Sequence, residues 1–293
     1  MDACGIVWSN APGCNAESVK NYIASAIACI PGGVRGKTIG IVGVGHVGRR
    51  IADAAKAFGM NVLLNDPPRA DREGRGDFVE LDEILAKSDI VTLHVPLEKG
   101  GKYPTLHLAN REFFRKMRPG AWFFNSCRGE AVELEALLEA SASGKTGGIL
   151  MDVWPGEPDI DRTLLDRTVF ATPHIAGYSA DGKANGTTAA VRFIARQLNI
   201  PELSEWQPSG LPEPVFPADI DLSDISDVDE ALKKSVLHAY DILQDTAALR
   251  REPENFEALR GSYWIRREFS AYTIHNAPDG AVFSLKLLGF NIG

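Results

Sequence analysis

The 293-residue chain has four cysteines, Cys4, Cys14, Cys29 and Cys127, with no C-x-x-C pair and no zinc spacing to histidine. That excludes a disulfide scaffold and a cysteine-based metal centre, and reduced thiols in a cytosolic compartment are expected, with no metal. No apolar run approaches the length that spans a membrane. Met1 is not followed by the basic segment and apolar core of a secretory signal, so a cytoplasmic protein without a membrane partner is expected. Positive charge is also scarce: 31 Lys and Arg stand against 39 Asp and Glu, a net charge of −8. Such a balance argues against nucleic acid as a partner, while a local Arg cluster remains compatible with an anionic substrate. There is no internal repeat and no low-complexity tract.

What is present is one organising stretch, Lys37 to Asp66. Thr38–Val42 is a short β-branched run suited to a buried parallel strand. Gly43, Gly45 and Gly48 follow in G-x-G-x-x-G spacing, Val47–Phe58 has helical periodicity, and a second apolar run, Asn61–Leu64, leads to Asp66. The glycines serve a tight turn, close approach of backbone to a pyrophosphate, and close helix–strand packing. The helix start, with His46 and Val47, offers free N–H groups to phosphate. Asp66 is placed to accept hydrogen bonds from an adenosine ribose and to repel a 2′-phosphate, which favours NAD over NADP. The motif alone is weak, but strand, turn, helix, strand and acid occur here in the required order.

Around this unit, helix and strand alternate. Helices are expected at Glu17–Ile30 (with Asn15 as N-cap), Leu81–Lys87, Asn110–Met117, Glu133–Ala142 and Lys183–Leu198. Strands are expected at Asp89–Val95, Ala121–Asn125, Gly147–Val153 and Thr168–Thr172. The alternation predicts an α/β fold with a doubly wound parallel Rossmann sheet. A Pro-rich connector spans 202–221. Beyond it come a helix at Val228–Gln244, a strand-like stretch near Tyr263–Ile274 and a final SLKLLGF. This small α+β subdomain is expected to pack on a partner subunit. The domain plan is therefore 1–16 as remnant of a substrate domain, 17–176 binding NAD, 177–204 as a returning helix, and 205–293 for dimerisation.

Ligands of doubly wound sheets sit at the carboxyl ends of strands, which singles out Arg128, Glu157 and His174. Removing a hydroxyl proton needs a base titrating near neutrality, which suits His174. Glu157 can fix its tautomer, and the planar guanidinium of Arg128 suits a carboxylate or carbonyl. Each residue alone is more often structural, and the three gain weight jointly. His94 and His107 are read as structural, and Cys127 as a packing residue beside the cofactor.

GIVGVGHVG, the run from Asp66 to Asp71, NSCRGE, DVWPGEP and TPHIAGYS together resemble the D-2-hydroxyacid dehydrogenases. The resemblance covers essentially the whole chain. KYPTLHLA, HIAGYSADGKANGTT and the closing YWIRREFSAY…LKLLGF resemble its branch acting on a phosphorylated four-carbon acid. The resemblance implies NAD-dependent oxidation of 4-phospho-D-erythronate in pyridoxal phosphate biosynthesis by a cytoplasmic homodimer. It implies Arg128 on the substrate carboxylate or carbonyl, Glu157 paired with His174, His174 as acid/base and Tyr178 touching substrate. For the cofactor it implies Gly43, Gly45, His46, Val47, Asp66, Val95, Ser126, Cys127, Arg128, Asp152 (at the nicotinamide carboxamide) and Gly177. Two departures stand out. The first half of the substrate domain has no counterpart before Met1, so a truncated chain is expected whose activity depends on that half. Val95 stands where close relatives carry Thr, removing a hydroxyl from the cofactor pocket. Alternatives are another 2-hydroxyacid dehydrogenase, acting on glycerate or phosphoglycerate, and a non-catalytic NAD-binding dimer like the corepressors of this fold. The LRGSYWIRREF segment argues against the first of these.

Overall fold

A computed structural model describes residues 4–293; residues 1–3 of the expected remnant lie outside the described residues. The chain runs through α1 (Ala16–Ala28), β1 (Thr38–Val42), α2 (His46–Ala57), β2 (Asn61–Asn65), α3 (Pro67–Glu73), α4 (Leu81–Lys87) and β3 (Ile90–Leu93). Next are α5 (Arg111–Lys116), β4 (Ala121–Asn125), α6 (Leu134–Ala142), β5 (Thr146–Met151), α7 (Arg162–Arg167), β6 (Phe170–Ala171) and α8 (Ala180–Leu198). The C-terminal segment adds β7 (Asp219–Asp221), α9 (Val228–Ala239), α10 (Ile242–Arg251), α11 (Phe256–Gly261), β8 (Thr273–His275), α12 (Asp279–Leu288) and β9 (Asn291–Ile292).

The first six strands form one parallel sheet in the order β2-β1-β3-β4-β5-β6. The order reverses between β1 and β3, so a crevice opens where their carboxyl ends diverge. All four residues of β3 are buried, because helices cover both faces of a parallel sheet. Side-chain caps start several helices: Asn110 on α5, Asp161 on α7 and Ser179 on α8 each accept from a backbone N–H three residues on. Such caps satisfy donors that no intrahelical carbonyl can reach.

Two expectations change. The expected helix 228–244 is two helices, because Tyr240 is extended (φ −157°) and Asp241 caps α10 through Leu243 N–H. Tyr263–Glu268 has no regular structure, and the only strand of that stretch is β8, while the SLKLL sequence lies in helix α12. The C-terminal segment combines helices with a small sheet, as expected. Its three strands are all parallel, in the order β7-β8-β9, and α12 supplies the crossover that parallel neighbours require.

The C-terminal segment does not fold apart from the rest. Ile220, Leu232, Tyr240, Ile274 and Leu285 share one core with Val19, Tyr22 and Ile27 of α1 and with Ile39 and Ile51 of the Rossmann unit. Much of its apolar surface is covered in cis, which a segment of its size needs to be stable. No helix among the described residues is long and apolar enough to cross a membrane.

Candidate functional site

Two of the three motif glycines, Gly43 and Gly48, are required by the fold itself. Gly43 has φ +89°, and a Cβ there would lie 2.5 Å from the His94 carbonyl oxygen, so only glycine fits where the ends of β1 and β3 diverge. A Cβ on Gly48 would lie 2.0 Å from the Gly43 carbonyl oxygen, which sets how closely α2 approaches β1. Around Gly45, in contrast, nothing comes within 4 Å of the Cβ position. The protein needs no glycine there for its own packing, and the space lies at the N-terminus of α2, where free N–H groups attract anions.

Asp66 ends β2 and accepts from Val44 N–H (2.8 Å) and from Arg69 N–H (3.0 Å), so it also caps α3. It lines a recess of about 170 Å³ with Asn65, Pro67, Phe78 and Tyr103. His46 is exposed at the start of α2, its Nδ1 2.8 Å from Arg49 Nη2.

A larger cavity of about 400 Å³ opens at the carboxyl ends of the strands. It gathers nine of the expected residues: Val47 and Val95 from either side of the crevice, Ser126, Cys127 and Arg128 after β4, Asp152 after β5, and His174, Gly177 and Tyr178 after β6. Ser126 Oγ is shut off from solvent without a hydrogen-bond partner among the described residues. Buried hydroxyls seldom stay unpaired. Together with the open space at Gly45, this unpaired hydroxyl fits a bound dinucleotide.

The turn that presents Arg128 is built by Asn125, whose side chain donates to the Arg128 carbonyl (2.9 Å) and accepts from Cys127 N–H (3.1 Å). Gly129 then abuts Trp154, and a Cβ there would lie 2.1 Å from the Trp154 carbonyl oxygen. Arg128 is exposed, donates 2.6 Å to the Cys127 carbonyl, and has no carboxylate partner among the described residues. Burial pushes the Cys127 thiol up to about 11, so it is no nucleophile at neutral pH.

Glu157 and His174 meet as expected, with Nδ1 2.5 Å from Oε1. The other carboxylate oxygen of Glu157 accepts from Trp154 N–H at 3.0 Å. Burial alone would raise this carboxyl, but the contacts with His174 and Trp154 outweigh it and hold it below the usual range. Engaging Nδ1 leaves Nε2 free. His174 has φ +58°, a left-handed conformation that costs energy in a non-glycine residue and is held by its surroundings. His174 N–H donates to the Asp152 carbonyl (2.7 Å), and the Asp152 carboxylate accepts from Ile175 N–H (2.7 Å), Ala176 N–H (3.0 Å) and the Thr172 hydroxyl (2.7 Å). Burial pushes the Asp152 carboxyl up against these donors. Asp152 thus shapes the loop that carries His174.

Asn15 occupies the N-cap position of α1 as expected, but its side chain makes no cap bond and lines the cavity. His94, read as structural, also lines the cavity, and burial pushes its imidazole down to about 3, keeping it neutral. The residue that sequence reasoning missed is Arg260 of α11, which enters the same cavity from the C-terminal segment. A lone arginine in a short helix carries no signal of this.

A family model described as D-isomer specific 2-hydroxyacid dehydrogenase, NAD binding domain, matches residues 17–176. The chain belongs to the D-isomer specific 2-hydroxyacid dehydrogenases. This family assignment agrees with the motifs, and the cofactor is NAD. A model described as a domain of unknown function matches residues 211–289. Among relatives of this dehydrogenase, erythronate-4-phosphate dehydrogenase of Bacteroides thetaiotaomicron is 46% identical over 275 residues, covering 92% of this chain and 76% of the relative. The enzyme of that name from Escherichia fergusonii is 41% identical over 302 residues, covering 99% and 78%. Of solved structures, the TT0316 protein of Thermus thermophilus is similar with a TM-score of 0.56 and 27% identity, covering 72% of each chain. NAD+-bound 3-phosphoglycerate dehydrogenase of Entamoeba histolytica (TM-score 0.56, 23% identity, 69% and 67% covered) shares the fold.

Proposed function

We propose that this dehydrogenase oxidises 4-phospho-D-erythronate to 2-oxo-3-hydroxy-4-phosphobutanoate, a step of vitamin B6 biosynthesis. The observation that carries the reading is the 2.5 Å contact between Glu157 and His174 at a cavity shared with the unpaired Arg128. The names of the 46% and 41% identical relatives support the substrate.

In this reading Arg128 holds the substrate carboxylate through its planar fork of donors and so fixes which carbon faces the cofactor. Glu157 accepts a hydrogen bond from His174 Nδ1–H, which keeps the proton on the ring and presents the Nε2 lone pair to the 2-hydroxyl. Nε2 removes the hydroxyl proton, and Glu157 stabilises the imidazolium that forms. NAD, when bound, accepts the hydride that leaves the same carbon. Gly43, Gly45, His46 and Val47 hold its phosphates, Asp66 its adenosine ribose, and Val95, Ser126, Cys127, Asp152 and Gly177 the nicotinamide end. Tyr178 contacts the substrate.

The chain is further proposed to pair with a second copy through residues 205–293, where Phe283 on α12 is 75% exposed and Ile265 52%. Apolar side chains this open are interface candidates, and a monomer in sedimentation velocity contradicts it. All four cysteines are free thiols, which suits the cytoplasm. The substrate assignment is tested by following nicotinamide fluorescence after adding 4-phospho-D-erythronate or D-glycerate to the NAD-loaded protein. Reduction with the first alone is expected; equal rates, or reduction with D-glycerate alone, overturn the assignment.

A further inference from the structure

We infer that Arg260, carried by the C-terminal segment, binds the phosphate of the substrate and so sets the preference for a phosphorylated 2-hydroxy acid. The inference rests on the proposed reading, in which Arg128 takes the carboxylate.

Arg260 lies in the last turn of α11 and lines the same cavity as Arg128, His174 and Tyr178. Its Nε donates to the Tyr178 hydroxyl at 3.1 Å, and its guanidinium carbon lies 5.8 Å from the centroid of that ring. A guanidinium has five N–H donors, and this bond uses one. Lys183 Nζ lies 5.1 Å from the centroid of the same ring. Neither cation has an ion-pair partner among the described residues, although acids outnumber bases in the chain and Arg69, Arg111 and Arg267 are all paired.

A basic residue in a last turn is common, because it complements the helix dipole. That role needs no contact beyond the helix's own carbonyls. Arg260 instead reaches Tyr178, 82 residues away in sequence. The cavity therefore presents two guanidinium groups without a directly ion-paired carboxylate in a protein of net charge −8, Arg260 acting on Glu157 only through its charge at a distance. A substrate with one carboxylate satisfies one of them, and a substrate with a carboxylate and a phosphate satisfies both. Planar, multidentate donors suit phosphate oxygens, and the Tyr178 hydroxyl bond holds the Arg260 fork in place.

The test compares wild type, Arg260→Gln and Arg260→Lys with NAD, using 4-phospho-D-erythronate and unphosphorylated D-erythronate. Loss of a charge-assisted contact is expected to lower the ratio of kcat/KM between the two substrates about 10- to 100-fold in Arg260→Gln, chiefly through KM. Arg260→Lys recovers part of it, since the charge returns without the fork. An unchanged ratio, or an equal loss on both substrates, overturns the inference. Unaltered NADH binding establishes that the variant is folded. Calorimetric titration of the NAD-loaded proteins with 4-phospho-D-erythronate separates this inference from the catalytic reading. Wild type that binds without turnover ends the catalytic reading, and Arg260 stands only if Arg260→Gln weakens that binding by the same factor.

Discussion

Asp152 and Arg266 grip the same dipeptide, Ile175–Ala176, through its opposite polar groups. The carboxylate of Asp152 accepts both N–H groups, at 2.7 and 3.0 Å, while Arg266 Nη2 donates to the Ala176 carbonyl at 2.7 Å. Arg266 is fully buried, with its guanidinium carbon 4.3 Å from the centroid of Tyr240. The residue just before this dipeptide is His174, in its left-handed conformation. A side chain from the C-terminal segment thereby secures the loop on which the candidate base sits.

Arg266→Met keeps much of the buried volume but removes these donors. Leaving buried carbonyls without partners is expected to cost about 2–4 kcal/mol in a denaturant titration. A change below about 0.5 kcal/mol contradicts the role given to Arg266.

Gly45 and Gly48 separate cofactor binding from packing. Gly48→Ala forces a Cβ against the Gly43 carbonyl and is expected to lower the melting temperature. Gly45→Ala meets only open space in the protein, so its stability stays within about 0.5 kcal/mol of wild type while NADH affinity falls. Titration by nicotinamide fluorescence checks this; undiminished affinity in Gly45→Ala removes the pyrophosphate from that position.

Asp66 has two roles that one substitution can part. Ala at this position loses the cap of α3 along with the charge, at a cost of about 1 kcal/mol. Asn retains capping ability, so Asp66→Asn is expected to relax the preference for NAD over NADP with little loss of stability. An unchanged ratio of kcat/KM for the two cofactors places the ribose elsewhere.

The Glu157 carboxyl is held below its ordinary range in the folded protein. At pH values between the folded and unfolded values, the unfolded chain binds more protons, so stability rises with pH through that interval. Its contribution is present above the ordinary carboxylate value and is lost as pH falls through the depressed one. Glu157→Gln should therefore flatten the acid limb of a stability–pH profile, and an identical limb in both proteins contradicts the shift.

How far the sequence reaches is set by how local each signal is. The stretch Thr38–Asp66 was legible because strand, glycines, helix and acid fall in one window, each with its own physical reason. Arg128, Glu157 and His174 were legible as strand-end residues once the alternation was read. Arg260 and Arg266 were not, since their partners Tyr178 and Ala176 lie 82 and 90 residues away. The break at Tyr240 was also hidden: apolar spacing continues across it from α9 into α10, and the extended backbone there leaves no mark in the pattern. The same holds for β8, whose three residues are too short to show a period.

The most direct test of the account is the rate of NADH formation from 4-phospho-D-erythronate in His174→Ala against wild type. The account predicts a fall of about 100-fold or more, the usual scale for a general base, with NADH binding retained. Wild-type turnover in that variant contradicts it.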